Sequence, residues 1–181
     1  MKYFLLLILL SGFIPSQAQR VTGKKIQAGL ELDVLPYATG GYFAAAWLGK
    51  KKWRARLLTA EVNKPDWSTS AGFTNHHICS YALVADRFLQ TGWKGWWISG
   101  GLVYWNSHIQ TDQRSETAKF KNFLLNGSLG YNITLYKKLY LSPWAGLSFR
   151  AAGDTNAPVD NKLFTLPFIN PEASVKLGYT F

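Results

Sequence analysis

The chain of 181 residues holds a single cysteine, Cys79. One thiol makes no intramolecular disulfide, which excludes a small secreted scaffold held together by bridges. It also leaves no Cys/His cluster at zinc spacing, so neither a metal centre nor a cofactor is expected. Charge is sparse, at 17% of residues against the roughly 25% usual in soluble domains, and acidic charge is sparser: 10 Asp and Glu against 20 Lys and Arg. Beyond the first eighteen residues no apolar run is long enough for a membrane helix. Aromatic residues, by contrast, reach 15%.

The amino-terminal stretch reads as a leader. Lys2 supplies a positive start, Phe4–Leu10 an apolar run, and Ser16-Gln17-Ala18 a small-x-small cleavage site. This is the pattern of a secretory signal peptide over 1–18, with the mature domain expected from Gln19 to Phe181. As a retained span the run falls short of the about 20 residues required. No cysteine stands at the cleavage point, so a lipid-anchored form is not expected. The formal charge of +10 would suit nucleic acid. An exported chain rarely meets nucleic acid, however, and membrane lipid is the better partner.

The rest of the chain alternates with period two between turn-rich points, and predicts eight strands: 25–36, 41–48, 52–63, 77–89, 96–110, 119–133, 138–151 and 163–181. In the first, Ile26, Ala28, Leu30, Leu32 and Val34 oppose Gln27, Gly29, Glu31 and Asp33. In the sixth, Phe123, Leu125, Leu129, Tyr131 and Ile133 oppose Asn122, Asn126, Ser128, Gly130 and Asn132. In the seventh, Leu139, Leu141, Ala145, Leu147 and Phe149 oppose Tyr140, Ser142, Gly146, Ser148 and Arg150. The fifth is mixed, with Trp97, Val103 and Trp105 sharing a face with Ser99, Gly101 and Ser107.

Connections alternate in length. Gly49–Lys51, Thr91–Gly95 and Thr134–Lys137 read as short turns, and 64–76, 111–118 and 152–162 as longer polar loops. The first connection breaks the rule: in "ELDVLPYATGGYF" (31–43) Pro36 is expected to end the strand and the glycines to shape a tight hairpin tip. Short turns at one end and long loops at the other describe an all-β, antiparallel up-and-down barrel threaded through a membrane.

A soluble barrel would turn its apolar face inward around a ligand; a membrane barrel turns it outward to lipid. Polar faces rich in Gly, Ser and Asn suit a cramped lumen. Aromatics crowd the strand ends, with Trp47, Trp53, Trp93, Trp96, Trp97, Tyr136 and Tyr179 at the short-turn end and Tyr37, Tyr42, Trp105, Phe123 and Phe149 at the other, as interfacial belts do. Finally, "ASVKLGYTF" alternates to a terminal Phe181. Leader, strand layout and last strand together resemble the small eight-stranded outer-membrane barrels of the OmpA/OmpX kind. The resemblance implies an outer-membrane location in a Gram-negative-type bacterium and a last strand closing on the first. It also implies that Tyr179 and Phe181 are read by the β-barrel insertion machinery.

Charged residues on the polar faces are the first site candidates. Glu31, Asp33, Arg54, Arg56, Asp86, Arg150, Glu172 and Lys176 are expected to meet in a lumen just wide enough for side chains, as a structural ion-pair network. A gated pore or an acid/base pair is the functional alternative. His76, His77 and His108 are expected as polar residues of loops and strand ends. Outer-membrane lipid hydrolases use His and Ser with an acid, but Ser107-His108 face opposite ways and no His-x-Ser pair occurs. Ser80 stands four residues from His76, and Asp112 four from His108. Lys50, Lys51, Lys52, Lys94, Lys137 and Lys138 gather at the short-turn end, where anionic headgroups attract each by about 1 kcal/mol. Lys64, Arg114, Lys119, Lys121 and Lys162 gather at the other. Cys79 reads as a small apolar filler. The expectation is a monomeric, non-enzymatic outer-membrane barrel with a structural or surface-recognition role. A lipid acyl hydrolase, or a narrow carrier for a small apolar solute, stands as the alternative.

Overall fold

A computed structural model describes residues 25–181, so the leader and the expected start at Gln19 lie outside the described residues. Eight strands close a ring: β1 (Gln27–Asp33), β2 (Tyr42–Lys50), β3 (Trp53–Lys64), β4 (Phe73–Phe88), β5 (Gly95–Thr111), β6 (Thr117–Tyr136), β7 (Leu139–Gly153) and, after a small hairpin of β8 (Asn156–Val159) and β9 (Lys162–Thr165), β10 (Ile169–Thr180). Each pairs antiparallel with its neighbour in sequence. The ring closes where β10 meets β1, with Leu30 opposite Tyr179 and Asp33 opposite Lys176. Closure leaves no sheet edge, the condition for a sheet in lipid.

The outer surface is apolar. Leu30, Leu48, Leu57, Leu83, Leu102, Leu125 and Leu129 are between 41% and 65% exposed, while their sequence neighbours Glu31, Arg56, Val84 and Leu124 are buried in the bore. So continuous an apolar girdle suits lipid and not water. The faces read from alternation in the first, sixth and seventh strands are the faces observed.

Four expectations are corrected. The first strand ends at Asp33, whose carboxylate caps a one-turn helix, α1 (Val34–Ala38), by accepting from the Leu35 amide. The segment 31–43 is therefore a capped helical turn, and Pro36 lies inside it. The eighth strand is interrupted: 162–165 belongs to the hairpin, and Pro167 precedes β10. The loops accordingly shrink to 65–72 and 112–116, and the third is mostly hairpin. Last, the belts lose members. Trp53, Trp96, Tyr136 and Tyr179 face outward at one end, and Tyr37, Tyr42, Phe123 and Phe149 at the other. Trp47, Trp93 and Trp97 are instead buried inside the short-turn end, and Trp105 packs against buried Val103 and Leu124.

Glycines explain why those rings fit inside. Gly29 lies opposite Trp47, Gly130 opposite Trp97, and Gly178 opposite Tyr140. A Cβ at these glycines would stand 2.4, 2.3 and 2.2 Å from the facing ring. Each large ring occupies the space that a missing side chain leaves on the next strand.

Candidate functional site: a lumen closed at both ends

The short-turn half of the bore is filled by a ring of charge. Arg54 and Arg56 rise from β3, between Glu31 of β1 and Asp86 of β4. Arg54 donates to Glu31 at 2.8 Å and to Asp86 at 2.6 Å; Arg56 donates to the other oxygen of each, at 2.8 and 2.9 Å. All four side chains are buried. Ala45, opposite Glu31 on the intervening β2, is small enough to let the guanidiniums reach across. Two cations and two anions sharing four short bonds satisfy the condition under which buried charge is tolerated.

The opposite wall joins in through Tyr140 of β7. Its hydroxyl donates to Glu31 at 2.7 Å and accepts from Arg54 at 3.1 Å and from the Trp47 indole at 3.0 Å. Arg54 lies 5.1 Å from the centres of both Trp47 and Phe88, and Arg56 5.4 Å from that of Trp97. Arg54 Nη2 and Arg56 Nε, which have no hydrogen-bond acceptor among the described residues, belong to these ring-stacked guanidiniums. Together these groups span the bore from wall to wall.

The eight charged residues expected in one network fall into separate groups. Glu31, Arg54, Arg56 and Asp86 form the ring. Asp33 accepts from Ser174 and, at 2.8 Å, from the Trp144 indole. Lys176, opposite Asp33, makes no ion pair among the described residues; its amine sits 4.1 Å from the Trp144 ring centre and 5.1 Å from that of Trp97. Glu172 accepts from Ser148 at 2.5 Å. Arg150 is a correction: it donates to the Leu166 carbonyl at 2.8 Å, under the hairpin and away from the ring.

The hairpin closes the long-loop end. Ala157, Val159, Phe164 and Leu166 are buried against Ile109, Ala118 and Phe120, which line the mouth from β5 and β6. Asp160 at the hairpin tip accepts from Thr111 and, at 2.6 Å, from Ser115. Hydrogen bonds from Ser115 and Thr111 hold the Asp160 carboxyl below its usual range. Beneath the lid, His76, Asn122, Arg150 and Phe164 surround a void of about 20 Å³, room for one water. His76 Nε2 and Asn122 Oδ1 have no protein partner there among the described residues.

The histidines do not assemble with a nucleophile. His76 faces inward. His77 and His108 face outward on β4 and β5, stacked with ring centres 4.6 Å apart, and His77 Nε2 lies 2.7 Å from Glu61. Among the described residues no hydroxyl is hydrogen-bonded to a histidine. Ser80 is buried in the bore without a bond to His76, and Asp112 lies 3.9 Å from Lys162, not at His108. Cys79 is no core filler: it faces outward and donates to the Tyr81 hydroxyl at 3.6 Å.

Ring closure, an apolar exterior and a packed polar bore admit one comparison in architecture. Among solved structures the chain is similar to the crystal structure of Neisserial surface protein A (NspA), with a TM-score of 0.53 and 11% identity over 86% of this chain and 96% of that one. The chain has the fold of a small eight-stranded membrane β-barrel. It fits the OmpA/OmpX-like architecture that its last strand resembles. At that identity the likeness concerns the fold alone. No family model matches the chain, and no curated protein matches it in sequence.

Proposed function

We propose that the chain is an integral outer-membrane protein of a Gram-negative-type bacterium, exported by its leader and monomeric. Its work is structural, or recognition at the cell surface through 65–72, 112–116 and the hairpin, without catalysis or conduction. The observation that carries this reading is the doubly closed bore: a charge ring tied to the opposite wall below, and an apolar hairpin seated in the mouth above. An eight-stranded bore is only just wide enough for side chains, and here they fill it. That no hydroxyl among the described residues is bonded to His76, His77 or His108 supports the non-catalytic part.

Reconstitution of the purified chain tests both parts. In planar bilayers no conductance steps above the bare membrane are expected, and incubation with outer-membrane lipid should leave its acyl composition unchanged by mass spectrometry. Discrete steps, or deacylated lipid, would overturn the reading.

Tyr179 and Phe181 serve, in the same reading, as the signal for the insertion machinery. Their rings pack edge to face, with centres 5.6 Å apart, on the outer surface. Removing Phe181 should lower the yield of membrane-inserted protein in cells more than it lowers the urea midpoint of barrel already inserted. Equal yields would leave Phe181 a packing residue.

A further inference from the structure

Charge is sorted along the barrel axis. Of the 10 acidic residues, Glu31, Asp33, Asp86 and Glu172 lie in the bore. Glu61, Asp66, Asp112, Glu116, Asp154 and Asp160 lie toward the long-loop end. None is left for the short-turn end. There the chain places Lys25 ahead of β1, Lys50, Lys51 and Lys52 at the β2–β3 turn, Lys94 before β5, and Lys137 and Lys138 at the β6–β7 turn. No carboxylate approaches any of them to ion-pair distance among the described residues. Lys52 donates to the Leu89 carbonyl at 2.8 Å, and the Lys137 amine stands 4.9 Å from the Tyr136 ring centre; all but Lys52 are exposed.

Two of these lysines occupy positions the backbone would give to another residue. Lys51 and Lys137 have φ of 59° and 47°, in the left-handed region where a turn favours Gly or Asn. Lysine is present at both tips although local conformation argues against it, and neither amine makes an ion pair among the described residues.

We infer that this crown of lysines binds the anionic phospholipid headgroups of the leaflet surrounding the short-turn end. The inference rests on the outer-membrane reading, which makes that leaflet the periplasmic one. Three observations select lipid over a compact ligand. The side-chain charge gathered there is of one sign. It is spread around the ring at β1, β2–β3, β5 and β6–β7, as an annulus requires. It begins just past the outward rings of Trp53, Trp96, Tyr136 and Tyr179, which mark the membrane boundary where phosphate groups lie.

The test compares the full mature chain with a K50Q/K51N/K94Q/K137N/K138N variant, refolded into vesicles of phosphatidylcholine alone or mixed with phosphatidylglycerol. Folding is read by gel mobility without boiling, and stability by urea titration at low and high salt. For wild type, anionic lipid should raise the folded-to-unfolded ratio at fixed urea by about tenfold or more at low salt, with most of the gain lost at high salt. The variant should show little of that gain. In neutral vesicles it should match or exceed wild type, because Asn suits the left-handed positions. An equal gain for both proteins would overturn the inference. So would equal stabilisation of wild type in neutral vesicles by a soluble polyanion, which would make the partner a polymer. Failure to fold into any vesicle would instead refute the membrane reading beneath it.

Discussion

The two ends of the bore are closed by opposite means. Below, closure is electrostatic: four charged side chains on three nearby strands, paired with one another and tied to Tyr140 across the lumen. Above, closure is apolar and carried by a segment outside the barrel sheet, as β8 and β9 pair only with each other. The lower plug can yield only if the barrel itself opens. The upper one can lift while all eight strands stay paired. A buried ion network therefore belongs where nothing should move, and a hydrophobic lid over a small void with unpaired polar atoms belongs where something can.

The contrast is broken most sharply from below. Glu31→Gln keeps the shape but leaves Arg54 and Arg56 to share one carboxylate, and it removes the charged acceptor of Tyr140. A loss of about 3–5 kcal/mol in global stability is expected, the usual cost of orphaning a buried charge. Urea unfolding in vesicles measures it, and a change within error would mean that the ring is dispensable.

The lid calls for a local measurement. Phe164→Ala empties the centre of the cluster formed with Phe73 and Phe120. Hydrogen exchange over 156–165 should accelerate as the lid's opening free energy falls by up to about 3 kcal/mol, with the barrel strands and the urea midpoint little changed. A matching loss of protection in the barrel strands would show that lid and barrel unfold as one unit.

The smallest effect expected is acid loosening of the same lid. Because Ser115 and Thr111 hold the Asp160 carboxyl below its usual range, its contribution is fully present above the unfolded value of about 4. It is lost as pH falls through the depressed folded value. Exchange over 156–165, corrected for the intrinsic rate, should quicken at the acid end, and Asp160→Asn should remove that dependence. An unchanged dependence in the variant would place the titrating group elsewhere.

Alternation marks Glu31, Arg54, Arg56 and Asp86 as candidates for the bore, but it does not say that these four of the eight would pair. It could not say that Arg150 would turn up to a hairpin carbonyl, because that depends on a segment folding back over the mouth. Signals for that segment were present: Val159-Asp160-Asn161-Lys162 places two turn-forming residues between short extended runs. Strands of four residues are too brief for periodicity to announce them. Asp33 likewise carried the signature of a helix cap, hidden by its place at the end of a clean alternating run. The tryptophans failed for another reason. An indole near a strand end serves a belt or a plug equally well. What distinguishes Trp97 from Trp96 is the glycine opposite it on the next strand, which only the register reveals.

Those glycines also act as a gauge for assembly. A strand that slips by two residues keeps every apolar side chain on the lipid side, so the membrane alone does not penalise the error. The facing rings do. Displaced by one such step, Trp97 would meet Ser128 or Asn132 in place of Gly130, and Tyr140 would meet Lys176 or Thr180 in place of Gly178. Gly29 opposite Trp47 sits beside one flank of the closing seam, and Gly178 opposite Tyr140 beside the other. The ring can therefore shut without steric penalty in one alignment, and the stagger of all eight strands, which sets the diameter of the bore, is held by gaps where side chains are missing.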